Sequence, residues 1–192
     1  MELHNVEQRS KEWFDLRLGK VGGSEAINLT TPARMKNLVN VKLAEILTGQ
    51  AEQVFVNDAM QYGIDTEPIV VSLYEKEQFI STTEIGGVSN KDYPRAFLSP
   101  DIDMVLNAYD ETKKGFNKIP SVYRPQLGSY FLMMPNLEWV DFVAYNEFVS
   151  LKAMLIIRVN RLDADSEIKK LKAGHTKFES KINDGLKHFI NG

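Results

Sequence analysis

The spacing of apolar residues changes near Phe79, and this change constrains the fold more than any other feature of the sequence. Before Phe79, apolar residues recur at helical spacing, whereas β-branched and turn residues predominate after it. A last amphipathic stretch at about 163–190 predicts a long C-terminal helix. No internal repeat or linker interrupts the 192 residues, so we expect one α/β domain over 1–192, with a central mixed β-sheet flanked by helices.

The first part of the chain predicts helices. These are residues 8–18 with Ser10 as N-cap, residues 35–48, and a segment from about Asn57 to Tyr62 that can continue through Pro68 to Gln78. Gly19 and Gly49 follow the first two helices and are expected to end them. In the third helix, Ile69, Val70, Leu73 and Tyr74 are expected to form the core face, and Glu67 lies near the start of the part that begins at Pro68.

The remainder predicts strands and two further helices. The expected strands are Ile80–Val88, Arg95–Ser99, Ile102–Leu106, Trp139–Tyr145 and Ala153–Val159, with a turn at 89–94. A buried helix is expected after Ile119, and the C-terminal helix can break at Gly174. Residues 107–118 are strongly polar and fit either the end of a hairpin or a helix.

Composition excludes several classes of protein. Without cysteine, disulfides, zinc ribbons and cysteine nucleophiles are excluded, and a reducing cytoplasm is favoured. The N-terminus has no signal-peptide pattern, and no apolar stretch is long enough to span a membrane. The net charge of -3 argues against a protein that coats nucleic acid without selectivity, but an enzyme that acts on DNA needs only a local basic path.

One short motif points to phosphodiester chemistry. Pro100-Asp101 is followed, after nine intervening residues, by Glu111-Thr112-Lys113. Two carboxylates can hold Mg²⁺, and a lysine beside them can orient the attacking water or stabilise the charge of the transition state. Both halves of the motif are also common in surface turns, so an ordinary loop with a solvated charge run remains an alternative.

A second motif is compatible with anion binding. Gly22-Gly23 leads to Ser24, which could cap a new helix whose first N–H groups would favour an anion. Arg17 and Lys20 could add positive charge at the same place. A plain turn is the alternative, because the glycine and lysine spacings of nucleotide-binding loops are missing.

Together, several stretches resemble the lambda-exonuclease or YqaJ-like family of viral recombination nucleases, within the PD-(D/E)xK superfamily. The resemblance extends over about residues 8–160. It is carried, in the family's order, by Gln8 with Trp13, Leu16-Arg17-Leu18-Gly19 with Ser24, Met60-Gln61-Tyr62-Gly63 with Glu67-Pro68, Leu98-Ser99-Pro100-Asp101, Ile119-Pro120 with Tyr123 and Gln126, and Trp139–Tyr145.

The resemblance implies a restriction-endonuclease-like core and a Mg²⁺-dependent exonuclease, with Mn²⁺ as a possible substitute. Such an enzyme degrades the 5′ strand of duplex DNA as a homotrimer and passes the 3′ overhang to a single-strand annealing protein. By the same resemblance, Asp101, Glu111 and Glu67 would surround the metal, Lys113 would be catalytic, and Gln126 would support Lys113. The pocket for the terminal 5′-phosphate would be formed by Arg17, Ser24 and Ser99.

The sequence departs from the family pattern next to this predicted centre. Ile102 replaces the glycine that usually follows Pro-Asp, and only five residues separate Lys113 from Ile119. In one register, Glu111 and Lys113 are the true pair and the following loop is shortened. In the other, residues 109–118 belong to a helix, the Glu-x-Lys strand is lost, and Glu67, Asp101 and Asp103 remain as a partial acidic cluster.

Three functions are therefore compatible with the sequence. The first is a 5′-to-3′ DNA exonuclease of phage-type recombination, acting in the cytoplasm of a bacterial host if it is phage-encoded. The second is a catalytically impaired nuclease fold that binds DNA ends or a protein partner without cutting. The third is an unrelated α/β domain in which the motifs are accidental.

Overall fold

The computed structural model of the chain describes residues 1–51, 57–99, 115–149 and 152–191. The α-helices are α1 (Lys11–Arg17), α2 (Pro32–Thr48), α3 (Asp58–Gln78), α4 (Arg124–Met133) and α5 (Asp165–Asn191). The strands are β1 (Glu2–His4), β2 (Gly87–Ser89), β3 (Trp139–Tyr145) and β4 (Met154–Asn160). Short 3₁₀ helices cover Ser24–Leu29, Gly115–Lys118 and Arg161–Ala164.

Helix α1 begins and ends where its capping residues predict, whereas α2 ends at Gly49 as predicted but begins at Pro32, three residues earlier than expected. Ser10 Oγ accepts a hydrogen bond of 3.2 Å from the backbone N–H of Trp13, as expected for an N-cap. Gly19 follows α1 with φ +67°, and Gly49 ends α2 with φ +68°, a backbone region that glycine enters at little cost.

Helix α3 is continuous through Gly63 and Pro68, so the expectation that Glu67 lies near a helix start is wrong: Glu67 is in the middle of the helix. The predicted core face is also partly wrong. Val70 is buried, but Ile69 and Leu73 are 55% and 38% exposed. Residues 69 and 70 are about 100° apart around a helix, so a narrow contact surface buries only one of them.

The strands form two antiparallel pairs among the described residues. β1 pairs with β2, and β3 pairs with β4 over seven residues, with Phe142 opposite Ile157. The predicted strand 80–88 is mostly irregular, since only Gly87–Ser89 pair. The predicted strand 95–99 instead makes bridges, one parallel (Val21 with Ala96) and one antiparallel (Val88 with Leu98). The predicted strand 102–106 lies outside the described residues, and one central mixed sheet remains a prediction.

The C-terminal helix packs on the rest of the molecule through one stripe. Leu171, Phe178 and Ile182 are fully buried against residues of α2 and of the 3₁₀ helix Ser24–Leu29. The helix does not break at Gly174. A Cβ at Gly174 would lie 2.9 Å from both Cβ and the carbonyl oxygen of Leu29, so the missing side chain permits close packing here.

The β3–β4 hairpin packs against α3. Val143 and Met154 of the hairpin form a small core cluster with Val70 of α3. Helix α4, which the sequence predicted as buried, lies in the main core with Phe131 and Met133 fully enclosed. Among the described helices, none combines the length and apolar character needed to cross a membrane.

Candidate active site

Trp13 of α1 connects two of the chain segments that contain predicted site residues. Its indole Nε1–H donates to the carbonyl oxygen of Gly86 at 2.8 Å and to Ser99 Oγ at 2.9 Å. Ser99 Oγ in turn donates to the Gly86 carbonyl at 3.1 Å. Because a hydroxyl has a single proton, Ser99 would have to turn its O–H away from Gly86 in order to donate to a bound anion.

Arg17 lies one helical turn after Trp13, and its guanidinium stacks on the indole ring with Cζ 4.2 Å from the ring centroid. The same guanidinium approaches residues 19–24, the glycine turn that connects α1 to the first 3₁₀ helix. A Cβ at Gly22 would lie 2.7 Å from Arg17 Nη2, so a larger residue at position 22 would displace the arginine. The structure therefore holds a planar cation between an aromatic ring and the backbone of the turn.

Helix α4 packs against Gly23, the next residue of this turn. A Cβ at Gly23 would lie 3.4 Å from Cγ of Gln126 and 3.8 Å from the hydroxyl oxygen of Tyr130. Gln126 Nε2 donates to that hydroxyl at 3.3 Å, and the hydroxyl makes a long hydrogen bond of 3.5 Å to the carbonyl oxygen of Ser99. Gln126 is thus buried beside the turn, next to the segment that contains Ser99.

Ser24 does not cap the helix that follows the turn, contrary to the sequence prediction. The 3₁₀ helix Ser24–Leu29 has Gly23 at its N-cap, and no side chain caps it. Ser24 is its first residue and is exposed, immediately after the glycine that contacts α4. Its hydroxyl is therefore not committed to a cap.

The cation predicted beside Arg17 has a different environment. The ammonium of Lys20 lies 5.7 Å from the centroid of the Phe97 ring. Burial, and then the positive charge of Arg95, lower the pKa of Lys20. Arg17 is the cation whose contact with the glycine turn the structure describes.

A buried group of charged side chains lies behind the turn. Lys42 Nζ is 3.0 Å from Glu25 Oε1 and 3.1 Å from Glu45 Oε1, and the lysine side chain is only 8% exposed. Each carboxylate also accepts a backbone N–H of the turn. Glu45 Oε2 accepts from Gly19 at 2.9 Å, and Glu25 Oε2 accepts from Gly22 at 2.8 Å.

Glu67 is half-buried on α3. It lies three residues before the buried Val70 and seven before Tyr74, so the three residues share one face of the helix. Three of the predicted catalytic residues, Asp101, Glu111 and Lys113, lie outside the described residues. Within the described ranges, no group of three or more His, Asp or Glu side chains could hold a metal ion. The choice between the two Glu-x-Lys registers therefore stays open.

Sequence reasoning missed the side chains that connect these segments. Trp13 was named as part of the family resemblance, yet its N–H joins α1 to Gly86 and Ser99. Lys42 was also overlooked, although a signal for it exists: it lies three and four residues after the buried Val39 and Leu38, on the apolar face of α2. A lysine on such a face is rarely buried unless it is paired.

The assembled site is suited to an anionic group. An arginine guanidinium stacked on an aromatic ring keeps its donors in a fixed plane, which matches the oxygens of a phosphate or carboxylate. On its other side the guanidinium lies against Gly22, which has no side chain. Such an arrangement can bind a charged end group, while hydrolysis would require the acidic residues as well.

Comparisons with known proteins agree in both sequence and fold. The sequence profile of the YqaJ-like viral recombinase domain matches residues 12–133, which include Arg17, Ser24, Glu67, Ser99 and Gln126. No curated protein sequence matches the chain significantly.

Solved structures of exonucleases have the same fold. The alkaline exonuclease LHK-Exo from Laribacter hongkongensis superposes with a TM-score of 0.73 at 24% identity, over 95% of this chain and 99% of the other. Its complex with dAMP gives 0.70 at 22% identity, over 95% and 99%. A phage-related exonuclease from Haemophilus somnus 129PT gives 0.56 at 14% identity, over 87% and 96%.

Proposed function

Since the chain belongs to the family of YqaJ-like viral recombinase domains, we propose that it is a metal-dependent DNA exonuclease of phage-type recombination. Its substrate is linear duplex DNA, which it digests from the 5′ end to leave 3′ overhangs. The fold that it shares with the alkaline exonuclease LHK-Exo, over nearly the whole of both chains, is consistent with this activity.

The observation that carries the proposal is that Trp13 contacts both Arg17 and Ser99: its ring stacks on the Arg17 guanidinium, and its N–H donates to Ser99 Oγ. Helix α1, the segment of Ser99 and helix α4 are far apart in sequence and meet at the glycine turn, where Arg17 lies against Gly22. In the proposed enzyme, Arg17 binds the terminal 5′-phosphate, and Ser24 and Ser99 donate hydrogen bonds to it. A charge-assisted hydrogen bond from arginine is among the strongest that a phosphate can receive.

The proposed chemistry is hydrolysis of the terminal phosphodiester bond. If Mg²⁺ or Mn²⁺ is bound at this site, it would supply Lewis-acid polarisation of the phosphate and a lower pKa of the attacking water. Asp101, Glu111 and Glu67 are the proposed ligands, and their oxygens are the type that Mg²⁺ prefers. Lys113 orients the water or stabilises the developing charge, and Gln126 positions Lys113 from α4.

The family resemblance also supports proposals about assembly and location. The protein would form a homotrimer around DNA and hand the 3′ overhang to a single-strand annealing protein. If it is phage-encoded, it would act in the cytoplasm of a bacterial host.

The test is digestion of end-labelled linear duplex DNA in Mg²⁺, with and without a 5′-phosphate. We expect degradation of the labelled 5′ strand, faster for the phosphorylated end, and loss of activity in Asp101→Ala. Absence of hydrolysis with both Mg²⁺ and Mn²⁺ would reject the enzyme. Salt-sensitive binding of DNA ends without turnover would then favour the impaired, DNA-binding alternative.

A further inference from the structure

The glycine turn that holds Arg17 is fixed at both ends by one buried lysine. Lys42 Nζ contacts Glu25 at 3.0 Å and Glu45 at 3.1 Å, and the side chains of Lys42 and Glu45 are 8% and 7% exposed. Two carboxylates in so small a buried space would repel each other without the ammonium between them. Lys42 therefore holds the two carboxylates on either side of one ammonium group.

Each carboxylate fixes a different end of the turn. Glu45 accepts the N–H of Gly19, two residues after Arg17, and Glu25 accepts the N–H of Gly22, two residues before Ser24. Glu25 Oε2 and Arg17 Nη2 both lie within 3.3 Å of the point where a Cβ of Gly22 would be. The conformation of the turn and the place of the guanidinium thus depend on the same contacts.

We propose that Lys42 is a positioning residue for recognition of a terminal phosphate: through Glu25 and Glu45 it holds the turn against which Arg17 is placed. This inference rests on the proposed 5′-phosphate pocket. It adds to that pocket Lys42, Glu25 and Glu45, which would support it without touching the DNA. Without Lys42, Glu25 loses its ammonium partner and can turn toward Arg17. Its carboxylate then competes with the terminal phosphate for the Arg17 guanidinium. The turn also loses the hydrogen bond that Glu25 makes to Gly22.

The informative measurement is a ratio of affinities. Binding of duplex DNA with a 5′-phosphate is compared with binding of the same duplex with a 5′-hydroxyl, without added metal. A loss of folded protein lowers both measured affinities equally and leaves their ratio unchanged, whereas displacement of Arg17 weakens only the phosphorylated end. The ratio therefore separates a positioning role from a general role in stability.

The first variant is Lys42→Met, which keeps the length of the side chain and removes its charge. We expect the preference for the 5′-phosphate to fall about tenfold or more, the size of effect that loss of a charged hydrogen bond produces. Lys42→Arg keeps the charge and should retain part of the preference. Lys169→Met, which removes the ammonium of an exposed ion pair with Asp165 on α5, is the control and should keep the wild-type ratio.

If Lys42→Met does not fold, Glu25→Ala tests the same positioning role. Glu25 is more exposed, at 26%, and its removal leaves the pair of Lys42 and Glu45 intact while Gly22 loses its acceptor. A wild-type ratio in every folded variant among Lys42→Met and Glu25→Ala would overturn the inference and leave the proposed pocket standing. A wild-type protein that binds both DNA ends equally would overturn the pocket, and the inference with it.

Discussion

The phenol of Tyr74 donates a hydrogen bond of 2.7 Å to Asp141, whose side chain is only 3% exposed. The same carboxylate accepts two hydrogen bonds from Arg158, at 2.8 and 2.7 Å. Burial acts to raise the pKa of Asp141, but the hydrogen bonds from Arg158 and Tyr74 outweigh it and lower the pKa. Burial, followed by the contact with Asp141, raises the pKa of Tyr74 to about 12. One carboxylate thus connects α3, which contains Glu67, to both strands of the β3–β4 hairpin.

Asp141→Asn is expected to destabilise the protein by about 1–3 kcal/mol, because it weakens three hydrogen bonds at a site with little access to water. Urea unfolding followed by circular dichroism measures the change. Asp15→Asn is a matched control, since Asp15 forms an exposed ion pair with Lys11, and it should have a much smaller effect. Equal effects of the two substitutions would show that Asp141 does not anchor α3.

His175 is expected to make the protein less stable in mild acid. Burial lowers the pKa of this histidine to about 4, whereas an unfolded histidine has a pKa of about 6.5. The folded-state pKa is depressed, so its stabilising contribution is complete above pH 6.5 and is lost as the pH falls towards 4, by up to about 3 kcal/mol. His175→Phe should flatten this part of the profile of unfolding free energy against pH, and substitution of the exposed His188 by Gln should not. Parallel profiles for wild type and His175→Phe would contradict the prediction.

Gly174→Ala is expected to destabilise the protein by about 1–3 kcal/mol, because the new methyl group would meet Leu29 at 2.9 Å and force α5 away. Gly63→Ala is its counterpart within α3. No described atom lies within 4 Å of the added Cβ at Gly63, so this change should raise stability by about 0.5–1 kcal/mol through helix propensity. Thermal unfolding of both variants gives the comparison, and a stabilised Gly174→Ala would disprove the close packing of α5.

Arg17→Met is expected to weaken binding of 5′-phosphorylated DNA ends by about 10- to 100-fold, as the loss of charged hydrogen bonds would produce. Binding of 5′-hydroxyl ends should hardly change. Arg34→Met removes an exposed arginine of α2 and serves as the control for net charge. Competition binding with the two kinds of duplex measures the effect, and an equal loss for both ends would assign Arg17 to general contact with DNA.

Glu67→Gln is expected to lower the rate of Mg²⁺-dependent digestion by at least about tenfold, if its carboxylate is a metal ligand as proposed. Glu77→Gln, which changes an exposed carboxylate near the end of the same helix, should leave the rate unchanged. Initial rates at several Mg²⁺ concentrations distinguish weaker metal binding, which higher Mg²⁺ overcomes, from loss of another function. A wild-type rate in Glu67→Gln would remove Glu67 from the catalytic residues.

Local sequence signals predicted the elements whose limits depend on local interactions. Ser10 and Gly19 determined the limits of α1, and Gly49 determined the end of α2. The predominance of β-branched residues predicted β3 with its observed bounds and β4 with each end off by one residue. The motifs in sequence also predicted the family, which the match over residues 12–133 confirms.

Contacts between segments that are distant in the sequence could not be predicted from these local signals. The core face of α3 was partly wrong because the hairpin contacts Val70 and leaves Ile69 exposed. The strand predicted over 80–88 was too long, since β-branched residues favour an extended chain but pairing requires a partner, and β1 offers only three residues.

The sequence by itself determined the family, the order of the five α-helices, strands β3 and β4, and the kind of residue at the candidate site, because motifs, capping residues and periodicity are local properties. Only the tertiary structure decided that Trp13 bonds to Ser99 and that Lys42 joins Glu25 to Glu45 behind the glycine turn. A buried charge or indole N–H must find a partner when water is excluded, and the partner depends on which segments the packing of the core brings together.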